Sequence, residues 1–306
     1  MTDTMLYKEL GTTGVQIPEL GIGMWHYQAG VDPIRKGLDA GALFIDTAES
    51  YGNETVAAEA MAGRREQVFL ATKASPAHFR RADLIKAADD SLKRLRTDHI
   101  DLYHLHTPSD EIPVEETLGA MEELVDAGKV RFIGVSNFSL PQLQHARQAM
   151  RTHPIVSNQV RFNLIDRTIA AGLLPYCQAN GVTVIAYSPL ARGFQRILDC
   201  DPRGVLASVA KATGRTPVQV ALNWCLCLDG VVTIPKGNSV EHVLENCGAS
   251  GWRLSPEHVR QLDEFIVFKR RSGVELFLRQ HVPPGLKQGI QQFVQHLPRG
   301  LRRKIN

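Results

Sequence analysis

The sequence predicts an α/β protein: a (β/α)8 TIM barrel with an N-terminal hairpin plug and a C-terminal helical extension. Three observations lead there. Eight short apolar runs recur along the chain, and helix-length amphipathic segments lie between them. The glycine-rich GxGxxG fingerprint that often opens a doubly wound sheet is missing, since GIGMWH (21–26) offers only GxG.

The elements follow in order. YKELGTTGVQIPEL (7–20), with Gly11 and Gly14 about a turn, reads as a hairpin able to plug the barrel floor. The candidate strands are LGIGMW (20–25), ALFIDTA (42–48), VFLATKA (68–74), HIDLYHLH (99–106), VRFIGVSN (130–137), IVSNQV (155–160), VTVIAYS (182–188) and VVTIPK (231–236). Among the intervening helices, DPIRKGLDAG (32–41) carries Pro near its start and Gly past its end. RADLIKAADDSLKRL (81–95) aligns Leu84, Ala87, Ala88, Leu92 and Leu95 on one face. VEETLGAMEELVDAGK (114–129) does the same with Leu118, Met121 and Val125. LPQLQHARQAM, AAGLLPYCQANG, TPVQVALNWCLCLDG and SVEHVLENCGA continue the alternation, with Pro175 blurring one boundary. SPEHVRQLDEFIVF (255–268) is an additional helix.

Composition narrows the class. With 43% hydrophobic and 22% charged residues, the 306-residue chain can bury a large core, and barrels of this size form one domain. A single (β/α)8 barrel domain over 1–268 and a separate basic extension over 269–306 are expected. No apolar run is long enough to span a bilayer and no signal peptide opens the chain. The five cysteines, Cys177, Cys200, Cys225, Cys227 and Cys247, have no metal-type spacing. Free thiols, a cytoplasmic location and no metal are expected. The formal charge of +3 is unevenly spread: residues 269–306 carry a net +8 and the rest a net −5.

Catalytic groups of such barrels stand at the C-terminal ends of strands. There the chain puts Asp46, Lys73 and His106, with Tyr51 in the following loop ESYGNE. Taken singly, each has an ordinary structural explanation, as a cap, a loop residue, a surface lysine or a core histidine. Together, an acid, a phenol, an amine and an imidazole on one rim suit acid–base work, because inward charge is costly unless paired. A phenol's ordinary pKa is about 10, and a nearby ammonium lowers it. The expectation is that Lys73, held charged by Asp46, tunes Tyr51, while His106 orients a carbonyl oxygen.

These residues, and the ordered motifs GIGMW, DAGALFIDTAESYGNE, ATK, HIDLYHLHTP, GKVRFIGVSNF, SNQV, IAYSPL and TIPKG with LEN, resemble the aldo-keto reductase superfamily over roughly 6–268. The resemblance implies reduction of an aldehyde or ketone by NADPH, with NADH possible, and a tetrad of Asp46, Tyr51, Lys73 and His106 with Tyr51 as general acid. It implies that Ser136, Asn137 and Gln159 hold the nicotinamide carboxamide and that Tyr187 stacks on the ring. Ser188, Leu190 and Arg192 match the pyrophosphate segment; Lys236, Gly237, Asn238, His242, Glu245 and Asn246 match the adenosine-phosphate segment. Met24 and Trp25 adjoin the cofactor, and Trp25, Tyr51, His106 and Thr107 would line the substrate pocket.

The chain departs from the family pattern at Gly237, where Ser is common, at His242, where Arg is usual, and at Thr107, where Trp is frequent. A neutral imidazole offers a 2′-phosphate less than a guanidinium, so a weakened NADPH preference is expected. The expected partner is a small carbonyl compound, with no nucleic acid and no integral membrane segment, in a monomer or small homo-oligomer. A cofactor-binding regulatory subunit with slow turnover is the alternative. In the tail, Leu286, Ile290, Phe293, Val294 and Leu297 share a helical face flanked by Lys287, Arg299, Arg302, Arg303 and Lys304. It reads as a lid, a partner contact or a membrane-touching segment, of which packing on the acidic body suits the charges best.

Overall fold

The computed structural model describes residues 4–268, so the expectations about the 269–306 extension lie outside the described residues. All eight predicted strands form. A hairpin of β1 (Tyr7–Glu9) and β2 (Gln16–Pro18) precedes them. The barrel strands are β3 (Ile22–Gly23), β4 (Phe44–Asp46), β5 (Phe69–Ala74), β6 (Ile100–Leu105), β7 (Val130–Ser136), β8 (Ile155–Arg161), β9 (Thr183–Tyr187) and β10 (Val231–Thr233). They pair in parallel in sequence order, β3 through β10. A parallel bridge from Leu20 to Thr233 joins the first strand's approach to the last strand. The amide N–H of Gly21 donates to Thr233 O at 2.8 Å and that of Gly23 to Pro235 O at 3.1 Å, so the sheet closes on itself. This seam explains the GIG segment: a Cβ on Gly23 would collide with Ile234 O.

The helices are α1 (Val31–Asp39), α2 (Glu54–Ala60), α3 (Arg81–Leu95), α4 (Val114–Asp126), α5 (Leu140–Ala149), α6 (Leu173–Ala179), α7 (Gln195–Leu198), α8 (Val205–Thr213), α9 (Pro217–Leu226), α10 (Val240–Cys247) and α11 (Pro256–Phe265). The predicted face of α3 is buried throughout. Pro175 stands in the first turn of α6, where a missing N–H breaks no intrahelical bond, and Thr168–Ala171 forms a separate 3-10 turn before it. Three helices escaped the sequence reading. In α2, the buried apolar positions are Ala57, Ala58 and Ala60, too small to mark a period; α7 is one turn; α8 lies in the stretch 189–215, where the sequence reading places no element.

Two cores result. The outer one lies between the strands and the helices. The inner one fills the barrel: Phe44, Phe69, Leu102, Val156, Ile185 and Val232 meet Leu10 and Ile17 of the hairpin, both fully buried. The hairpin therefore stoppers the barrel as predicted. Lys8 pins it by donating to three carbonyls, Leu226 O at 2.7 Å and Leu228 O and Val231 O at 2.8 Å. No helix among the described residues is long and apolar enough to cross a membrane.

Candidate active site

β4 ends in Asp46 and β5 carries Lys73, each enclosed almost completely. Lys73 Nζ donates to Asp46 Oδ1 and to Thr47 O, both at 2.6 Å, and Gln159 Nε2 of β8 donates to Asp46 Oδ2 at 2.6 Å. Burial pushes the Asp46 carboxyl up and the Lys73 ammonium down, and their contact opposes both shifts. The pair stays an ion pair because each charge compensates the other's lost hydration.

The 3-10 turn Glu49–Tyr51 follows β4 and delivers Tyr51 to the same place. Its ring centroid lies 5.0 Å from Lys73 Nζ, and its hydroxyl lies 3.4 Å from His106 Nε2. Ser50 Oγ lies 3.4 Å from His106 Nδ1, and the two rings meet edge-on at 5.4 Å. All four predicted residues thus converge. One part of the electrostatic expectation is corrected. The Tyr51 hydroxyl is held well above the ordinary phenol range, chiefly by burial and then by the Asp46 and Tyr187 charges. Lys73 is committed to Asp46 and does not release the phenol's proton. Burial and the Lys73 ammonium push His106 down to about 3, so its ring is neutral near pH 7.

The residues expected at the cofactor also lie on this rim. Asn137 Nδ2 donates to Ser136 Oγ and His106 O at 3.0 Å each, Tyr187 OH donates to Asn137 Oδ1 at 2.8 Å, and Ser136 Oγ donates to Gln159 O at 3.0 Å. Ser136, Asn137, Gln159 and Tyr187 are therefore one connected polar wall, rich in the amide and hydroxyl groups that a carboxamide needs. The guanidinium of Arg192 stacks 4.3 Å over the Trp25 ring, joining the loop after β9 to the loop after β3. Leu190 is half-buried against the outer core.

At the start of α10, Lys236 Nζ donates to His26 O at 3.1 Å and Asn246 Nδ2 to Lys236 O at 3.5 Å. Lys236, Asn238 and His242 are exposed there, and Glu245 is half-buried behind them. Gly237 has a steric cause: a Cβ would meet Val243 N at 2.9 Å. Thr107 is half-buried beside His106. Met24, expected to adjoin the cofactor, has its side chain fully buried in the outer core, and its carbonyl accepts from Asn53 Nδ2 at 2.7 Å.

Several supporting residues were not anticipated. Asn53, which also accepts from Thr47 Oγ1 at 2.7 Å, fixes the loop carrying Tyr51; it stood within ESYGNE but gave no periodic signal. Five non-glycine residues on this rim adopt left-handed backbone: His26 (φ 51°), Asn137 (63°), Ser188 (49°), Ala191 (56°) and Arg192 (60°). Such backbone costs of order 1–3 kcal/mol per residue and persists only where surroundings enforce it. No grouping of His, Cys, Asp and Glu fit to hold a metal occurs among the described residues, and the described cysteines are all free thiols.

A plugged eight-stranded parallel barrel with a buried Asp–Lys pair, a neutral histidine and a tyrosine at its C-terminal rim carries acid–base groups where barrel enzymes place their active sites. The comparisons with known proteins make the class specific. The aldo/keto reductase family pattern matches residues 19–267. Over 260 residues the chain is 36% identical to the methylglyoxal reductase YeaE of Escherichia coli, covering 82% of this chain and 91% of that one. The thermostable aldo-keto reductase Tm1743, solved with the inhibitor epalrestat, is 42% identical with a TM-score of 0.80, covering 85% of this chain and 100% of that one. An aldo-keto reductase of Klebsiella pneumoniae, solved with NADPH, is 36% identical with a TM-score of 0.80, covering 87% and 97%. The chain belongs to the aldo/keto reductase family and is an oxidoreductase with that family's (β/α)8 fold.

Proposed function

We propose that this protein reduces an aldehyde or ketone to an alcohol with NADPH, and that Tyr51 supplies the proton. The observation that carries the proposal is the meeting of the Tyr51 hydroxyl and the neutral His106 ring beside the enclosed Lys73–Asp46 pair. When bound, the reduced nicotinamide supplies the hydride. The chain's residues do the rest. Ser136, Asn137 and Gln159 would hold the carboxamide, and Tyr187 would offer its ring as a platform. Ser188, Leu190 and Arg192 would hold the pyrophosphate; Lys236, Asn238, His242, Glu245 and Asn246, with backbone approach at Gly237, would hold the adenosine and its phosphate.

Tyr51 enters the reaction fully protonated. That suits a donor to a developing alkoxide, which is a far stronger base than a phenolate. His106, neutral and 3.4 Å from the phenol oxygen, can donate a hydrogen bond to the carbonyl oxygen and hold it within reach of Tyr51. The Lys73 ammonium faces the Tyr51 ring at 5.0 Å and helps to position the phenol. Trp25 and Thr107 would form part of the substrate wall.

The similarity to the methylglyoxal reductase of Escherichia coli supports small reactive aldehydes as first substrates to try. The reading includes one reductase domain over 1–268 acting in the cytoplasm. Tyr51→Phe is expected to reduce turnover of such an aldehyde by about a thousandfold or more while NADPH still binds. Turnover near the unaltered rate would exclude Tyr51 as the acid. At the adenosine end, His242 in place of arginine leads to an expected NADPH-over-NADH affinity ratio below about a hundredfold; equilibrium titration with both nucleotides measures it.

A further inference from the structure

We infer that Asn163, a residue outside the proposed catalytic and cofactor-contacting set, is a positioning residue that holds the cofactor loop 188–192 in its binding shape. The inference rests on the reading that this loop grips the cofactor.

Ser188, Ala191 and Arg192 all have positive φ, a conformation that side-chain-bearing residues avoid. Three such residues in a five-residue stretch do not hold themselves. Within the loop, the N–H of Ala191 donates to Ser188 O at 2.9 Å. The other bond to that carbonyl comes from outside: Asn163 Nδ2 donates to Ser188 O at 2.9 Å.

Asn163 is itself firmly placed. It is fully buried just past the end of β8, and its Oδ1 accepts from the N–H of Ile165 at 3.1 Å. Its backbone exchanges two hydrogen bonds with Asp166, at 3.2 and 3.1 Å. Asp166 Oδ1 accepts from Thr168 Oγ1 at 2.9 Å, and Asp166 Oδ2 lies 3.6 Å from Arg161 Nε. The turn after β8 is thus a rigid bracket, and Asn163 is its arm to the loop after β9. At the other end of that loop the Arg192 guanidinium reaches the Trp25 ring. Releasing Ser188 lets the loop relax to ordinary backbone and carries Arg192 away from Trp25.

The test is a comparison of NADPH affinity and turnover in four variants. Asn163→Ala is expected to raise the NADPH Kd, read by quenching of protein fluorescence, at least about tenfold, with kcat at saturating NADPH within about threefold. Ala191→Gly in that background is expected to bring Kd back to within about threefold of the unaltered protein, because Ala191, which is outside the cofactor-contacting set, has positive φ and glycine adopts it without a steric penalty. Asn163→Ser keeps an acceptor for Ile165 and is too short to reach Ser188; it gives the same reading should the alanine variant not fold. Arg192→Ala separates the two levels of the argument. If it weakens NADPH binding while the Asn163 variants bind normally, the Asn163 inference fails alone. If Arg192→Ala leaves NADPH binding unchanged, the loop is not a cofactor grip and both fail. A loss of affinity in Asn163→Ala that Ala191→Gly does not recover also overturns the inference, since the defect then lies elsewhere.

Discussion

Lys73 is among the largest fully buried side chains of the described residues, and Asp46 supplies the opposite charge that compensates it. Removing one partner of a buried pair strands the other, typically at a cost of about 3–5 kcal/mol. Lys73→Met should therefore lower stability to urea by roughly that amount, and Lys73→Met with Asp46→Asn should recover much of it. If the double variant is no more stable than the single one, the two residues are not an energetic pair. His106 makes a pH prediction. Its folded pKa is about 3, below the ordinary 6.5, so between those values the unfolded chain binds a proton that the folded chain refuses. This contribution to stability is complete above about pH 6.5 and is lost as pH falls toward about 3. His106→Asn should lose less stability than the unaltered protein over that window in urea titrations. Equal acid sensitivity of the two proteins would refute the assignment.

Among the elements, α11 shows what residue types and spacing can and cannot reveal. Its start was legible from Ser255 and Pro256, and Ser255 does cap it, accepting from the N–H of His258. Its docking was not legible. Arg167, far away in sequence, donates to Leu262 O and Asp263 Oδ1 and lies between the rings of Trp224 and Phe268, 4.9 Å from each centroid. Arg167→Ala should release α11 and cost about 3 kcal/mol or more in thermal or urea unfolding; a change below about 0.5 kcal/mol would show that α11 is held otherwise. The same division holds at the site. Asp46, Lys73 and His106 were readable because they end apolar runs, and strand order puts such ends on one rim. Asn163, Asn53 and the left-handed residues were not, because their roles depend on which carbonyl lies opposite after folding. The direction of the Tyr51 shift was misread for a similar reason. Spacing brought Lys73 near the phenol, but only the folded geometry commits its ammonium to Asp46.

For the whole molecule, the closed barrel is two nested cores, with the hairpin completing the inner one. Leu10→Ala should open a cavity there and cost about 2–5 kcal/mol, checked by denaturant unfolding. The pinning of Lys8 has a different consequence, in the order of events during synthesis. Its three carbonyl partners lie 218, 220 and 223 residues further along the chain. A ribosome must therefore make most of the barrel before the stopper has anywhere to sit. Through that interval the apolar pair Leu10 and Ile17 travels uncovered. Intermediates that leave such surface open are prone to aggregate, so this hairpin is the segment that a chaperone would be expected to shield.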